Sequence, residues 1–391
     1  MNTALDNGIL TISLSGRIDS SNASDVEEQI AAAREAHAHD ELVLDLEGLE
    51  YISSAGLRVV LRLLKQEPQM KLVNACSEVY EIFDMTGFTE MTTVEKAYRA
   101  LSVEGCEVIG RGANGTVYRI DRDTVVKVYR NADCLPDVQR ERELARKAFV
   151  LGIPTAIPYD VVRVGDSYGS VFELLNSRSF SKLIAANPED IDTYVGLYVD
   201  LMKQLHSTTV SPDDMPNMKT VALDWVNFLR DYLPAGQAEK LVALVEAVPE
   251  RHTMLHGDYH TNNIVMQNDE VLIIDMDTLC YGHPIFELAS MYLAFVAFGE
   301  VDCTVTESFL KLAYDTAGVF WHKALGAYLG TQDEDAIRAV EEKAMVVGYA
   351  RLMRRTIRRN GFDTEEGRST IELCRARLAD LLPRVDTLEF S

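Results

Sequence analysis

Gly110, Gly112 and Gly115 stand in a GxGxxG spacing, and Lys127 follows on a segment that alternates apolar and polar residues. The glycines do not open a helix, as they would in a dinucleotide site. Thr116–Ile120 alternates like a strand, Asp121–Asp123 turns, and Thr124–Tyr129 alternates again. Glycines between two antiparallel strands let the backbone close over a polyphosphate, and a lysine on the next strand supplies charge to its α- and β-phosphates. Farther along, Asp258 and Asn263 stand five apart, and the apolar run Val271–Ile274 delivers Asp275. An aspartate can accept a hydroxyl proton, and an amide oxygen with a carboxylate suits magnesium, which takes hard oxygen ligands. In this order the residues predict a site for ATP and Mg2+ that passes a phosphoryl group to a hydroxyl.

Such a site needs elements to hold it. A lysine on a strand needs a carboxylate to fix its direction, and the helical pattern VQRERELARKAFVLG offers Glu141 and Glu143. Glu141 is the expected partner, and Glu143 is expected on a solvated face. The first hundred residues alternate strand and helix patterns instead. Strands are predicted at Ile9–Ser15, Glu41–Leu46 and Met70–Asn74, and helices at Asn22–Ala33 and Val79–Met85. A further helix is predicted after Gly48, with Leu57, Val60, Leu61 and Leu64 on its buried face. This region shows neither clustered histidines nor paired carboxylates.

Three of its segments, GRIDSSNASDV, LVLDLEGLEYISSAGLRVVL and VYEIFDMTGFTEM, resemble the STAS domain of anti-sigma-factor antagonists. The resemblance implies an α/β domain over residues 1–101, an anti-sigma factor as partner, and Ser54 as a candidate for phosphorylation. The family's usual Asp before that serine is Ser53 here. A helix N-terminus tolerates added phosphate charge, while plain capping by Ser54 is the alternative.

The remaining chain resembles the aminoglycoside phosphotransferase and choline kinase group, through the HGDxHxxN pattern at His256–Asn263 and the IDxD pattern at Ile274–Asp277. That resemblance implies an α+β, two-lobed protein-kinase-like fold, with the nucleotide-binding lobe over 102–175 and the catalytic lobe over 176–391. It implies that Asp258, Asn263 and Asp275 are catalytic, that Asn263 and Asp275 hold magnesium, that His256 and Gly257 shape the loop, and that His260 orients the catalytic backbone. It places adenine against the backbone of Phe172–Leu175, at Glu173 and Leu175, and aligns Gly282, Pro284 and Glu287 with a GdPxxD stretch whose last residue is usually Asp. Only a short segment separates Asp275 from Glu287, which favours a small-molecule hydroxyl over a protein as acceptor. A protein kinase acting on Ser54 or another STAS protein, and a nucleotide-sensing binding module without turnover, are the alternatives.

Composition narrows the partners. The chain of 391 residues carries 61 acidic and 38 basic side chains, a net charge of −23, which opposes nucleic acid and anionic membranes. The N-terminus lacks a signal-peptide pattern, and the longest apolar stretch, Leu288–Gly299, is too short for a bilayer. Six scattered cysteines without a CxxC pair fit a reducing compartment, so a cytoplasmic protein is expected. Arg351, Arg354, Arg355, Arg358 and Arg359 recur on one helical face. In so acidic a chain, that stripe is expected to pair with its own carboxylates, the alternative being that it holds a phosphate or the acidic N-terminal domain.

Overall fold

Alternation along Ile9–Ile18 buries Leu10, Ile12, Leu14 and Ile18 on one side of a sheet, and Glu41–Ile52 does the same with Leu42, Leu44 and Leu46. The computed structural model describes every residue except 113–114, 132–133 and 391. By contacts it divides into Met1–Ser102 with Val161–Asp166, and Val103–Asp160 with Ser167–Ser391. Ala113 and Asn114, inside the glycine loop, lie outside the described residues, as does the C-terminal Ser391 of the expected catalytic lobe.

The first unit is an α/β sheet with packed helices. Strand β1 (Asn2–Asp6) runs antiparallel to β2 (Ile9–Ile18), and β3 (Glu41–Ile52), β4 (Lys71–Ala75) and β5 (Val94–Lys96) follow in parallel, in spatial order β1-β2-β3-β4-β5. Helices α1 (Ala23–Ala36), α2 (Ser54–Gln66), α3 (Ser77–Met85) and the single turn α4 (Phe88–Met91) connect them. The two-residue strand β6 (Arg99–Ala100) pairs in parallel with Val162 and Arg163. Strands β2 and β3 outrun the expected ends at Ser15 and Leu46, because Gly16 (φ 72°) sits in a register shift through which pairing continues to Ile18 and Ile52. The buried face of α2 is Gly56, Val59, Val60, Leu63 and Leu64, whereas Leu57 and Leu61 are half-buried, a rotation from the expected stripe. Ser53, not Ser54, caps α2: its hydroxyl accepts the Ala55 N–H at 3.2 Å.

In the second unit, β7 (Glu107–Arg111), β8 (Gly115–Arg119), β9 (Thr124–Tyr129) and β10 (Ser167–Glu173) pair antiparallel in the order β7-β8-β9-β10. Helix α5 (Leu135–Val150) lies against β10. Beyond the sheet come α6 (Phe180–Ala186), α7 (Ile191–Ser207), α8 (Met218–Phe228) and α9 (Ala235–Glu246). The hairpin β11 (Ile264–Gln267) and β12 (Glu270–Ile273) follows, turning through Asn268 and Asp269 at positive φ. Helices α10 (Ile285–Phe295), α11 (Cys303–Leu310), α12 (Tyr314–Leu329), α13 (Glu334–Arg358) and α14 (Glu365–Leu381) complete the chain. This is a kinase-like arrangement of a β-rich part and a helical part. All residues of α10 are buried, so the longest apolar stretch is a central helix. Among the described residues no helix is long and apolar enough to cross a membrane.

Candidate active site

Strand β9 alternates Val126 and Val128 on one face with Val125, Lys127 and Tyr129 on the other, which points the Lys127 ammonium toward α5. The buried stripe of α5 is Val138, Glu141, Leu144, Ala145 and Ala148, so Glu141 occupies a core position of an otherwise apolar face. Lys127 Nζ lies 2.8 Å from Glu141 Oε1 and 2.7 Å from Asp275 Oδ1. Glu143 points away and pairs with Arg146 at 2.8 Å. Burial pulls the lysine pKa down, but the two carboxylates outweigh it and hold the ammonium above its ordinary value. Burial raises Glu141 to about 7, against the opposing pull of Lys127.

The loop after Leu255 is built from its backbone. Gly257 has φ 81°, and a Cβ there would stand 2.6 Å from the Thr278 carbonyl oxygen, so only glycine fits. Glu287, 1% exposed on α10, accepts the N–H groups of His256 at 2.5 Å and Gly257 at 3.0 Å. His256 Nδ1 accepts the Asp258 N–H at 3.3 Å, which leaves Nε2 to donate to the Ile274 carbonyl at 3.2 Å and ties the loop to the Asp275 segment. Tyr259 donates to the Tyr198 carbonyl and Tyr198 to the Tyr259 carbonyl, at 2.7 and 2.9 Å. The loop is thus fixed from three sides.

Asp258 is left with its carboxylate toward solvent, side chain 39% exposed, and His260 Nε2 3.4 Å away. Burial would raise its pKa, but His260 outweighs that, with Arg351 behind it, and the carboxyl is held down at about 2. His260 therefore faces the carboxylate itself rather than ordering only the backbone. Asn263, 8% exposed, donates Nδ2 to the Asp258 carbonyl at 3.0 Å, which reserves its Oδ1 as a ligand oxygen. Its N–H bonds to the His260 carbonyl and its carbonyl receives the Ile274 N–H, so the amide and Asp275 are spaced by one short backbone bridge. Asp275 adopts a left-handed backbone (φ 67°), an uncommon state for a non-glycine residue that turns its carboxylate back to Lys127. Asp277 lines a cavity of about 390 Å3 together with Glu141, Arg130 and Arg140. The donor set fits magnesium, which binds one or two protein oxygens and completes its shell with phosphates and water.

In the segment expected to face adenine, the N–H groups of Glu173 and Leu174 are taken by the carbonyls of Ile157 and Asp123 at 3.0 and 2.8 Å. The glycine loop's Gly110 and Gly115 lie on β7 and β8, and the Gly112 carbonyl accepts Arg130 Nη2 at 3.0 Å. Sequence reading gave Arg351 no place in the site. Its Nη1 donates to the Gly257 carbonyl at 3.2 Å and to Ser290 Oγ at 2.9 Å, and its guanidinium lies over the Trp225 ring at 5.1 Å. The stripe does not pair as a whole with the chain's carboxylates: Arg354 meets Asp224 at 2.7 Å, but among the described residues Arg355 and Arg359 meet none.

With this geometry, residues 105–318 match the profile of the Phosphotransferase enzyme family, and residues 1–101 match that of the STAS domain. The chain belongs to the phosphotransferase family. It carries a STAS domain at its N-terminus. That domain is 38% identical over 97 residues to "Putative anti-sigma factor antagonist BtrV" of Bordetella bronchiseptica, spanning 24% of this chain and 83% of that protein. Similar solved structures include the gentamicin complex of the aminoglycoside phosphotransferase APH(2")-IIa, at 16% identity and a TM-score of 0.48, over 79% of this chain and 98% of that one. A choline/ethanolamine kinase family protein from Mesorhizobium loti gives 16% identity and a TM-score of 0.45, over 71% of this chain and 87% of that one.

Proposed function

We propose that the second unit uses ATP and Mg2+ to phosphorylate a hydroxyl of a small molecule, and that the STAS domain docks an anti-sigma factor. The observation that carries the first part is the Lys127 ammonium held between Glu141 and Asp275, with the Asp275 segment joined to the Asp258–Asn263 loop by the Ile274 N–H on the Asn263 carbonyl. Bound magnesium neutralises the charge that builds on the phosphates during transfer. Lys127 positions the phosphates, Glu141 fixes Lys127, and the glycine loop with Gly110, Gly112 and Gly115 covers them. The backbone at Glu173 and Leu175 receives the adenine. Asn263 and Asp275 hold the metal.

Asp258, ionised and pulled low by His260, orients the acceptor hydroxyl and takes its proton late, as the oxygen's own pKa falls on bond formation. Positioning and charge neutralisation supply most of the barrier reduction. Incubation of the full chain with Mg·ATP and pooled hydroxyl-bearing metabolites should release ADP, and the release should vanish in Asp258→Asn. Persistence of full turnover in that variant would remove Asp258 from this role.

Ser54 carries a second reading. It is exposed, it begins α2, and its hydroxyl is not the cap, since Ser53 is. A phosphate there would meet the free N–H groups of the first turn, with the helix dipole in its favour. The two readings separate by intact-mass and peptide analysis after incubation with Mg·ATP. Phosphate on Ser54 in the wild type and none in Asp258→Asn would make the protein its own acceptor. The partner reading rests on the BtrV relationship, and binding of a purified anti-sigma factor to the full chain, weakened by Ser54→Asp, tests it.

A further inference from the structure

A groove of about 380 Å3 opens beside the catalytic loop, with Phe298, Val301, Phe309 and Leu352 forming an apolar wall and Arg355 and Arg359 a basic one. Its position is fixed by Phe309. That ring packs on His260 at 4.7 Å, its carbonyl accepts Asn262 Nδ2 at 2.6 Å, and His260 in turn faces Asp258 at 3.4 Å. Arg351, Arg355 and Arg359 rise one turn apart along α13 and its C-cap, so the basic wall starts at the Gly257 carbonyl and runs outward.

Two facts mark Arg355 and Arg359 as recognition groups. The chain has 61 carboxylates for 38 basic side chains, yet among the described residues neither arginine meets one. Arg354, on the same helix, is paired with Asp224, and Arg377 with Glu300. Asp302 and Glu366 also line the groove, but the Asp302 carboxylate accepts the N–H and hydroxyl of Thr304, and among the described residues neither acid forms an ion pair with Arg355 or Arg359. Second, Arg355 lies over the Phe298 ring at 4.8 Å, which holds its planar fork at the apolar wall. Burial and the neighbouring charges of Arg359 and Arg351 lower its pKa and outweigh the opposite pull of Asp258, so an incoming anion would add to the balance that Asp258 supplies only in part.

We infer that the phosphoryl acceptor is a small acid, its apolar body on Phe298 and Phe309 and its carboxylate or phosphate on Arg355 and Arg359, with its hydroxyl toward Asp258. This rests on the phosphotransferase reading above and names the substrate class of that site. The volume suits a compact metabolite.

The test uses three probes with one body and one hydroxyl: 4-hydroxyphenylacetate, its neutral amide, and the cation tyramine. Their binding to the full chain is measured by titration calorimetry, beside circular dichroism as a check of folding. The acid should bind at least about tenfold tighter than tyramine. Arg355→Ala with Arg359→Ala should erase that preference, and Arg355→Glu with Arg359→Glu should reverse it. A wild type that binds tyramine as tightly as the acid, a preference that survives in the double alanine variant, or no acid binding at a Kd of about 10 mM or better overturns the inference. ADP release separates the two readings. Release that needs Asp258 but favours cationic acceptors leaves the phosphotransferase and ends the groove assignment. The expected charge order in binding, with no hydroxy acid stimulating ADP release, keeps the groove and ends the phosphotransferase reading.

Discussion

Asp258 and Glu141 show how two carboxylates in one site are driven apart. His260 holds Asp258 down at about 2, while burial lifts Glu141 to about 7. Asp258 is therefore an anion at any working pH, fit to orient a hydroxyl, and its removal leaves the rest of the site in place. Asp258→Asn should lower kcat by about 10²–10⁴-fold, with nucleotide binding by calorimetry retained. Glu141 acts through Lys127, which it holds at 2.8 Å. Glu141→Gln keeps an acceptor oxygen but removes the charge that balances Asp275, and so draws the lysine toward Asp275. The expected result is a rise of about tenfold in KM for ATP, near 1.4 kcal/mol, larger than any fall in kcat. An unchanged KM for ATP would mean that Asp275 suffices to place Lys127.

The elements place these residues by packing rather than by local propensity, and two substitutions test that. Gly257→Ala puts a Cβ 2.6 Å from the Thr278 carbonyl at a φ of 81°. It should cost about 1–3 kcal/mol of stability, read as a lower urea midpoint, and misplace Asp258 next to it. Glu287→Gln keeps the shape but turns one ionised acceptor of the His256 and Gly257 amides into a neutral group with a donor. A loss of about 1.5–3 kcal/mol is expected from the weakened charged hydrogen bonds, and a loss within error would show that the loop is held by the tyrosine pair instead.

These contacts also explain what the sequence could reveal. Glu141 was readable against Glu143 because it falls on the apolar stripe of α5, and Lys127 because β9 alternates. Strand β1 escaped notice although Asn7-Gly8 is a hairpin signal, because its residues are all exposed and carry no alternation. The left-handed turn at Asp275 was not legible because Asp tolerates that state without requiring it; the turn lies on the short route from β12 to Thr278, whose hydroxyl donates to the His256 carbonyl. Nor was Arg351, whose helix lies far along the chain and meets the loop only in the folded helical part. Its neighbours Arg355 and Arg359 read as partners of the chain's own carboxylates for the same reason.

For the whole molecule, acid response is set by a few buried groups within a strongly acidic chain. His283, 1% exposed at the start of α10, accepts the Ile285 N–H on Nδ1 at 3.1 Å and packs edge-on to Phe390 at 5.3 Å, which fastens the C-terminal segment to the central helix. Burial lowers its pKa to about 4, helped by the neighbouring basic groups Arg251, His206 and Lys343. The unfolded chain takes up this proton near 6.5, whereas the folded chain refuses it until about 4. Stability contributed here is complete above 6.5 and is lost as pH falls toward 4. Glu141 acts in the opposite sense: its raised pKa lets the folded state bind a proton between about 7 and 4.5 that the unfolded state does not, so that contribution grows as pH falls. The two nearly share a window, so the wild-type curve alone cannot assign either. A pH series of urea unfolding on the wild type and His283→Gln separates them. The variant should be less stable at neutral pH, and its deficit should shrink between pH 6.5 and 5, where carboxylates such as Asp258 have not yet begun to titrate in the folded state. A deficit constant across that interval would show that His283 enters its proton equilibrium equally in both states and that its burial carries no pH dependence.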